Sequence, residues 1–232
     1  MSIAANLQAI HQRMAQAAER GGRHPGDVRL VAVTKTKPAA AIAEAFACGQ
    51  LIFGENYVQE LVAKAAELPK EICWHFIGHL QSNKVRQIAG LVQMIHSVDR
   101  ISLAREIDRQ WGELGKSCDI LVQVNISRET TKSGTSSEEV FGLVREIATL
   151  PHVRVKGLMT MPPFFDDPEA ARPYFKALRE LAREIEAARI PGVEMNELSM
   201  GMSGDFEAAI AEGATLVRVG SALFGERVYT TP

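Results

Sequence analysis

The sequence predicts an α/β fold: a single (β/α)8 barrel of the TIM type with an extra N-terminal helix. Three observations predict it. Eight short apolar runs are spaced along the chain, and segments of helical periodicity separate them. Strands divided by helices pair in parallel through right-handed crossovers. The chain has 232 residues, and eight such units fill the roughly 200–250 residues that one barrel takes. An open doubly wound sheet is the competing arrangement. It should carry a glycine-rich dinucleotide fingerprint after its first strand. Here the first strand runs instead into Thr34-Lys35-Thr36-Lys37-Pro38.

The extra helix comes first. Ser2 suits an N-cap, and Ile3, Leu7, Ile10 and Met14 share one face. Gly21-Gly22 stops it, and Pro25-Gly26-Asp27 turns the chain. Strand patterns then lie at 29–33, 51–54, 74–77, 93–97, 119–125, 154–159, 195–199 and 215–219. Helical patterns occupy 38–48, 56–67, 81–90, 100–114, 136–149, 169–189 and 204–212, with a short helical turn from Ser221. The stretch Met161-Pro162-Pro163-Phe164-Phe165-Asp166-Asp167-Pro168 reads as a long, mobile loop. No internal repeat, low-complexity tract or linker interrupts the pattern, so residues 1–232 read as one domain.

Composition narrows the function classes. Hydrophobic residues make up 46% and charged residues 23%, which is ordinary for a globular chain with a sizeable core. A net charge of −2 gives no basis for a nucleic-acid or anionic-membrane partner. No apolar run is long enough to span a bilayer, and the N-terminus does not read as a secretory leader. Cys48, Cys73 and Cys118 have no metal-binding spacing, so they read as reduced, buried thiols of a cytoplasmic protein. His75 and His79 are four apart, but on a strand followed by a loop rather than on a helix. No metal site is therefore expected, and His79 is expected near a phosphate or substrate. Met159, Met161, Met195, Met200 and Met202 are expected to pack around the barrel mouth. Arg179, Glu180, Arg183 and Glu184 read as a solvated helix face.

The chemistry of such barrels sits at the C-terminal ends of the strands. Lys35 ends the first strand. If Val31 and Val33 point into the barrel, alternation points Lys35 inward too and turns Thr34 toward the helices. A lysine drawn partly out of water has a lowered pKa and a free lone pair, which suits imine formation. Lys37 is the alternative. The ends of strands 7 and 8 read Ser199-Met200-Gly201-Met202-Ser203-Gly204-Asp205 and Arg218-Val219-Gly220-Ser221. Small residues and hydroxyls before helix starts at these two places make an anion cradle. Arg218, two residues before Gly220, would place a guanidinium in the mouth near Lys35. An amine, a phosphate cradle and an arginine between them fit the outline of pyridoxal 5′-phosphate (PLP). Arginine cannot give the ring nitrogen a proton, so the ring would be a poorer electron sink than one paired with a carboxylic acid.

Segments in order along the chain then match one family. They are Val31-Ala32-Val33-Thr34-Lys35-Thr36-Lys37-Pro38, Phe53-Gly54-Glu55-Asn56-Tyr57-Val58-Gln59-Glu60 and Trp74-His75-Phe76-Ile77-Gly78-His79-Leu80-Gln81-Ser82-Asn83-Lys84. Lys132-Ser133-Gly134, Gly157-Leu158-Met159, Leu198-Ser199-Met200-Gly201-Met202-Ser203, Val217-Arg218-Val219-Gly220 and Phe224-Gly225-Glu226-Arg227 complete the set. The chain resembles the YggS/PROSC-type PLP homeostasis proteins, whose fold is like the PLP-binding barrel of alanine racemase. The resemblance implies that Lys35 carries the PLP imine and that Arg218 faces the pyridine nitrogen. It implies that Ser199, Gly220 and Ser221 help hold the phosphate, with Met202 and Ser203 beside them and Asn56 near the cofactor. It also implies a carrier that buffers and delivers PLP, with apo-PLP enzymes as transient partners and with no residue in a catalytic role. A monomer is expected.

Two other functions compete. A PLP racemase or decarboxylase needs a positioned acid or base on each face of the cofactor. The racemases take a tyrosine for this from a second domain, and only about a dozen residues follow Gly220 here; Tyr229 is no substitute for that domain. A class I aldolase would use the lysine but would not need Arg218, and it would be colourless.

Overall fold

The computed structural model describes residues 2–129 and 133–225. Eight parallel strands close into a barrel in the order β1-β2-β3-β4-β5-β6-β7-β8. They are β1 (Arg29–Val33), β2 (Ile52–Glu55), β3 (Cys73–Phe76), β4 (Met94–Val98), β5 (Cys118–Gln123), β6 (Val153–Met159), β7 (Val193–Ser199) and β8 (Leu216–Val219). Closure comes where β1 pairs with β8, with Val31 opposite Arg218.

The helices are α1 (Ile3–Arg20), α2 (Ala39–Ala47), α3 (Val58–Glu67), α4 (Val85–Ile88), α5 (Ile101–Glu113), α6 (Val140–Ile147), α7 (Arg172–Ala187), α8 (Phe206–Ala211) and α9 (Ser221–Phe224). The Ser2 hydroxyl caps α1 by accepting from the Ala5 amide at 3.3 Å. Leu7, Ile10 and Met14 are buried beneath it. Arg13 grips Glu207 of α8 with two nitrogens, and Asn6 donates to the Leu223 carbonyl of α9 at 2.9 Å. The extra helix therefore braces the two short helices that flank the barrel mouth.

Three helix starts lie three residues or more from the sequence expectation, among them α4, which begins at Val85 after a 3-10 turn at Ser82–Lys84. α6 begins at Val140 rather than at 136, because Ser136 exchanges hydrogen bonds with Glu139 in a turn. α7 begins at Arg172, after a single 3-10 turn at Pro168–Ala171. Pro173 lacks an N–H and is tolerated only in a first turn.

The core has two layers. Val31, Val33, Ile77, Met94, Leu121, Met159 and Leu216 fill the barrel interior, and a larger cluster joins the strands to the helices. Met195 and Met200 belong to that outer layer rather than to the mouth, and Met159 lies inside the barrel. Only Met161 and Met202 reach the mouth. Cys118 is buried, Cys73 half-buried and Cys48 exposed, so the expectation of three buried thiols fails at Cys48. Arg179 also departs from expectation, since it pairs with Glu212 at 2.7 Å. No helix among the described residues is long and apolar enough to cross a membrane.

Candidate functional site

A cavity of about 330 Å³ opens at the C-terminal end of the strands. Pockets of this modest size suit a small ligand. Lys35, Asn56, Met202, Ser203, Arg218, Gly220 and Ser221 line it together. Phe164, Phe165 and Pro168, from the stretch between β6 and α7, form an apolar wall.

The lysine end is set by a tight turn. β1 ends at Val33, and the Lys37 amide donates to the Thr34 carbonyl at 3.0 Å. Thr34 is buried on the helix side, as alternation requires, with its hydroxyl donating to Glu55 at 2.6 Å. The two candidate lysines now separate. Lys37 Nζ donates to the carbonyls of Phe224 and Gly225 at 3.1 and 2.9 Å, closing the end of α9.

Arg218 marks the opposite, buried side. It is only 4% exposed. Its Nη1 donates to the Ser199 hydroxyl at 2.5 Å and its Nη2 to the Thr160 carbonyl at 2.9 Å. Burial lowers the guanidinium to about 10, with the Asp205 carboxylate pulling the other way. It therefore keeps its charge near neutral pH. Ser199 is where the structure corrects the sequence reading: its side chain is fully buried below the cavity, beneath Arg218, and it does not line the anion cradle. It holds the guanidinium instead.

The third side is the cradle. Ser203 Oγ accepts from the backbone amides of Gly220 and Ala222 at 3.3 and 3.4 Å, joining the β7 loop to the start of α9. A Cβ at Gly220 would sit 3.3 Å from Val33 Cβ, so glycine lets the end of β8 pack closely against β1. Asp205 Oδ1 accepts from the Met202 amide at 2.6 Å and orders the β7 loop. Burial pushes the Asp205 carboxyl up, the direction that makes it tolerable beside an anion.

The residues present fit a phosphorylated aromatic aldehyde. The sharpest sign is Asn56 Oδ1, which is buried at the cavity wall with no hydrogen-bond partner among the described residues. A buried polar atom left so is costly unless a ligand answers it. Lys35 would offer an amine to the aldehyde, Ser203 and Ser221 hydroxyls to the phosphate, and Arg218 only donors to a ring nitrogen.

Other expectations fall elsewhere. His79 is exposed and faces Ser133 Oγ at 3.4 Å, away from the cavity wall. His75 points into the barrel and meets His96 at 2.9 Å. Lys132, Glu226, Arg227 and Tyr229 lie outside the described residues. Reading from sequence missed His96, Thr160 and Asp205. The only signal for His96 was its inward parity on β4, two residues from Met94.

Comparison with known proteins places this barrel. The alanine racemase N-terminal domain family matches residues 5–228. A protein of Aquifex aeolicus called pyridoxal phosphate homeostasis protein is 44% identical over 99% of this chain and 100% of its own length. Proteins of the same name from Pseudomonas aeruginosa and Escherichia coli are 44% and 42% identical, each over at least 98% of both chains. The structure of PipY of Synechococcus elongatus with PLP bound is 39% identical, covers 97% of this chain and 100% of PipY, and superposes with a TM-score of 0.84. Alanine racemase of Corynebacterium glutamicum, at 16% identity, shares the fold with a TM-score of 0.74 over 99% of this chain and 63% of its own. The chain belongs to the alanine racemase N-terminal domain family, among its pyridoxal phosphate homeostasis proteins.

Proposed function

We propose that this protein binds PLP at the barrel mouth, with Lys35 as the covalent attachment point, and serves as a carrier that holds and releases the cofactor. The observation that carries the reading is the convergence of Lys35, Arg218, the Ser203–Gly220–Ser221 cradle and the unanswered Asn56 Oδ1 on one small cavity. PLP supplies an aldehyde and an electron-withdrawing ring when bound. The chain's own residues limit how far that chemistry can go. Arg218 cannot release a proton near neutral pH, so it leaves the ring nitrogen unprotonated and weakens the electron sink. The other ionisable side chains at the cavity wall, among the described residues, are Lys35, Lys37 and Asp205. Lys37 is engaged with carbonyls and Asp205 with an amide. Proton transfer on both faces of a substrate is poorly served by this set. The relatives named for PLP homeostasis, matched over their full length, support a carrier over a racemase. Delivery to apo-PLP enzymes, a monomeric state and a cytoplasmic setting belong to the same proposal.

Purified protein incubated with PLP should turn yellow. Borohydride reduction and peptide mapping should then place the pyridoxyl group on Lys35. A label confined to Lys37 or Lys84 would sink the assignment. The carrier half is tested separately, by offering the loaded protein a panel of L- and D-amino acids and, in parallel, an apo-PLP enzyme. Recovered activity of the apo-enzyme with negligible amino-acid turnover is expected. Racemisation or decarboxylation at an ordinary enzymatic rate of ~1–10³ s⁻¹ would make it a catalyst.

A further inference from the structure

The turn that bears Lys35 is held from behind by α3. Thr36 has φ = +63°. That left-handed conformation is costly for any side chain and more so for a β-branched one, and glycine is its usual occupant. A strained residue of this kind persists only where its surroundings over-determine it.

The surroundings here are specific. The Thr36 amide donates to Glu60 Oε2 at 2.8 Å. The same Glu60 oxygen meets Lys64 Nζ at 2.7 Å, one helical turn along α3. Lys64 Nζ donates to the Thr34 carbonyl at 2.8 Å and pairs with Glu55 Oε1 at 2.6 Å. Glu55 Oε1 in turn accepts from the Thr34 hydroxyl, and Glu55 Oε2 accepts from the Asn56 amide at 3.2 Å. Glu55 is fully buried and Lys64 only 8% exposed. A buried ion pair is a weak source of stability, because apolar residues of similar volume do as well or better. What this one has that they would lack is direction. Its hydrogen bonds fall on both neighbours of Lys35 and on Asn56, while neither Glu60 nor Lys64 lines the cavity.

We propose that Glu60 and Lys64 are positioning residues for Lys35: they lock the left-handed turn at Thr36 so that the Lys35 amine is aimed into the cavity. This rests on the cofactor reading above and deepens it, since covalent capture then depends on two residues that touch no ligand. Threonine rather than glycine at 36 makes the turn conditional on the clamp. A glycine would adopt the conformation without the clamp.

The experiment measures the rate at which PLP becomes reducibly attached to Lys35, by borohydride quenching at timed intervals and peptide mapping, with circular dichroism confirming the fold of each variant. Glu60 keeps 30% of its side chain exposed, so Glu60→Ala spares the core. It should slow attachment by roughly tenfold, the equivalent of releasing one strained residue. Glu60→Gln keeps an acceptor for the Thr36 amide and should recover most of the rate. Thr36→Gly added to Glu60→Ala should restore it, a rescue that a merely structural role for Glu60 would not produce. Lys64→Met combined with Glu55→Gln, which leaves no unpaired buried charge, should slow attachment likewise and respond to Thr36→Gly likewise. Wild-type rates in Glu60→Ala, or a folded Glu60→Ala/Thr36→Gly protein that stays slow, would overturn the clamp while leaving the cofactor assignment standing. Wild-type protein that takes no label on Lys35 would defeat the cofactor assignment and the clamp with it.

Discussion

Arg218 dictates the protonation of everything behind it. A guanidinium only donates, so the Ser199 hydroxyl must accept from it and can pass its own proton to His96 Nδ1, 2.9 Å away. His96 then carries its proton on Nε2 and gives it to His75 Nδ1 at 2.9 Å. His75 Nε2 lies 3.6 Å from Cys73 Sγ near the far end of the barrel. The column thus runs from the cavity floor through the barrel interior with one consistent direction. Ser199→Ala should strand Arg218 Nη1 and His96 Nδ1 together, costing about 1–3 kcal/mol in denaturant unfolding, and should loosen the guanidinium enough to shift the visible absorbance of bound PLP. An unchanged spectrum and an unchanged midpoint would show that Thr160 alone fixes the arginine. Arg218 was legible in the sequence because strand alternation from Gly220 points it inward. Ser199 was misread for want of the same test. Its hydroxyl resembles cradle chemistry when only residue types are weighed, but its parity on β7 turns it into the barrel. His96 gave only its inward parity on β4, and a lone histidine on an apolar strand reads as core.

Strands and helices were legible to within a few residues because burial imposes their periods. What the periods do not encode is contact between elements. The clamp on Lys35 joins β1, β2 and α3, and nothing in the spacing of Glu55, Glu60 and Lys64 distinguishes it from a solvated helix face. Gly78 is a second case. It follows β3 within a segment already noticed for its resemblance, yet the reason for a glycine appears only in three dimensions. A Cβ at Gly78 would lie 2.2 Å from the Asn56 carbonyl oxygen and 2.7 Å from Asn56 Cα. The β2 and β3 loops therefore meet backbone to backbone beside the Asn56 side chain. Gly78→Ala must displace Asn56, and overpacking of this kind costs about 1–3 kcal/mol. It should also weaken PLP binding by moving Oδ1. Gly142→Ala is the matched control. Gly142 lies inside α6 with open space around its missing Cβ, so the change should stabilise the fold by roughly 0.5–1 kcal/mol and leave PLP binding alone. Equal effects of the two would remove the steric argument.

The barrel as a whole carries a polar axis in a place usually filled by apolar layers, and this ties its stability to pH. His75 and His96 are 3% and 0% exposed. Burial, with Arg29 adding repulsion, lowers His75 to about 3. Burial lowers His96 well below its ordinary range too, with His75, Arg218 and Arg29 repelling a further positive charge. The unfolded chain protonates both near 6.5, while the folded chain resists until near pH 3 at His75. Between those limits the unfolded state binds more protons, so stability rises with pH and is lost as pH falls below about 6.5. Each histidine contributes up to about 1.4 kcal/mol per pH unit over that window, and the pair together loses about 3 kcal/mol between roughly pH 6.5 and 5. That is a large fraction of a typical folding free energy of ~5–15 kcal/mol. Glu55 and Asp205, both raised by burial, work in the opposite sense, since a raised carboxyl favours the folded state as pH falls. The test is therefore a difference. Urea midpoints of the wild type and of His96→Gln are compared at pH 7 and pH 5. Glutamine keeps a hydrogen-bonding side chain on the column and removes one titrating group, so the loss between the two pH values should shrink by about 2 kcal/mol. The same loss in both proteins would mean that the imidazole pair is protonated within the fold, and that the barrel interior is wetter than its packing implies.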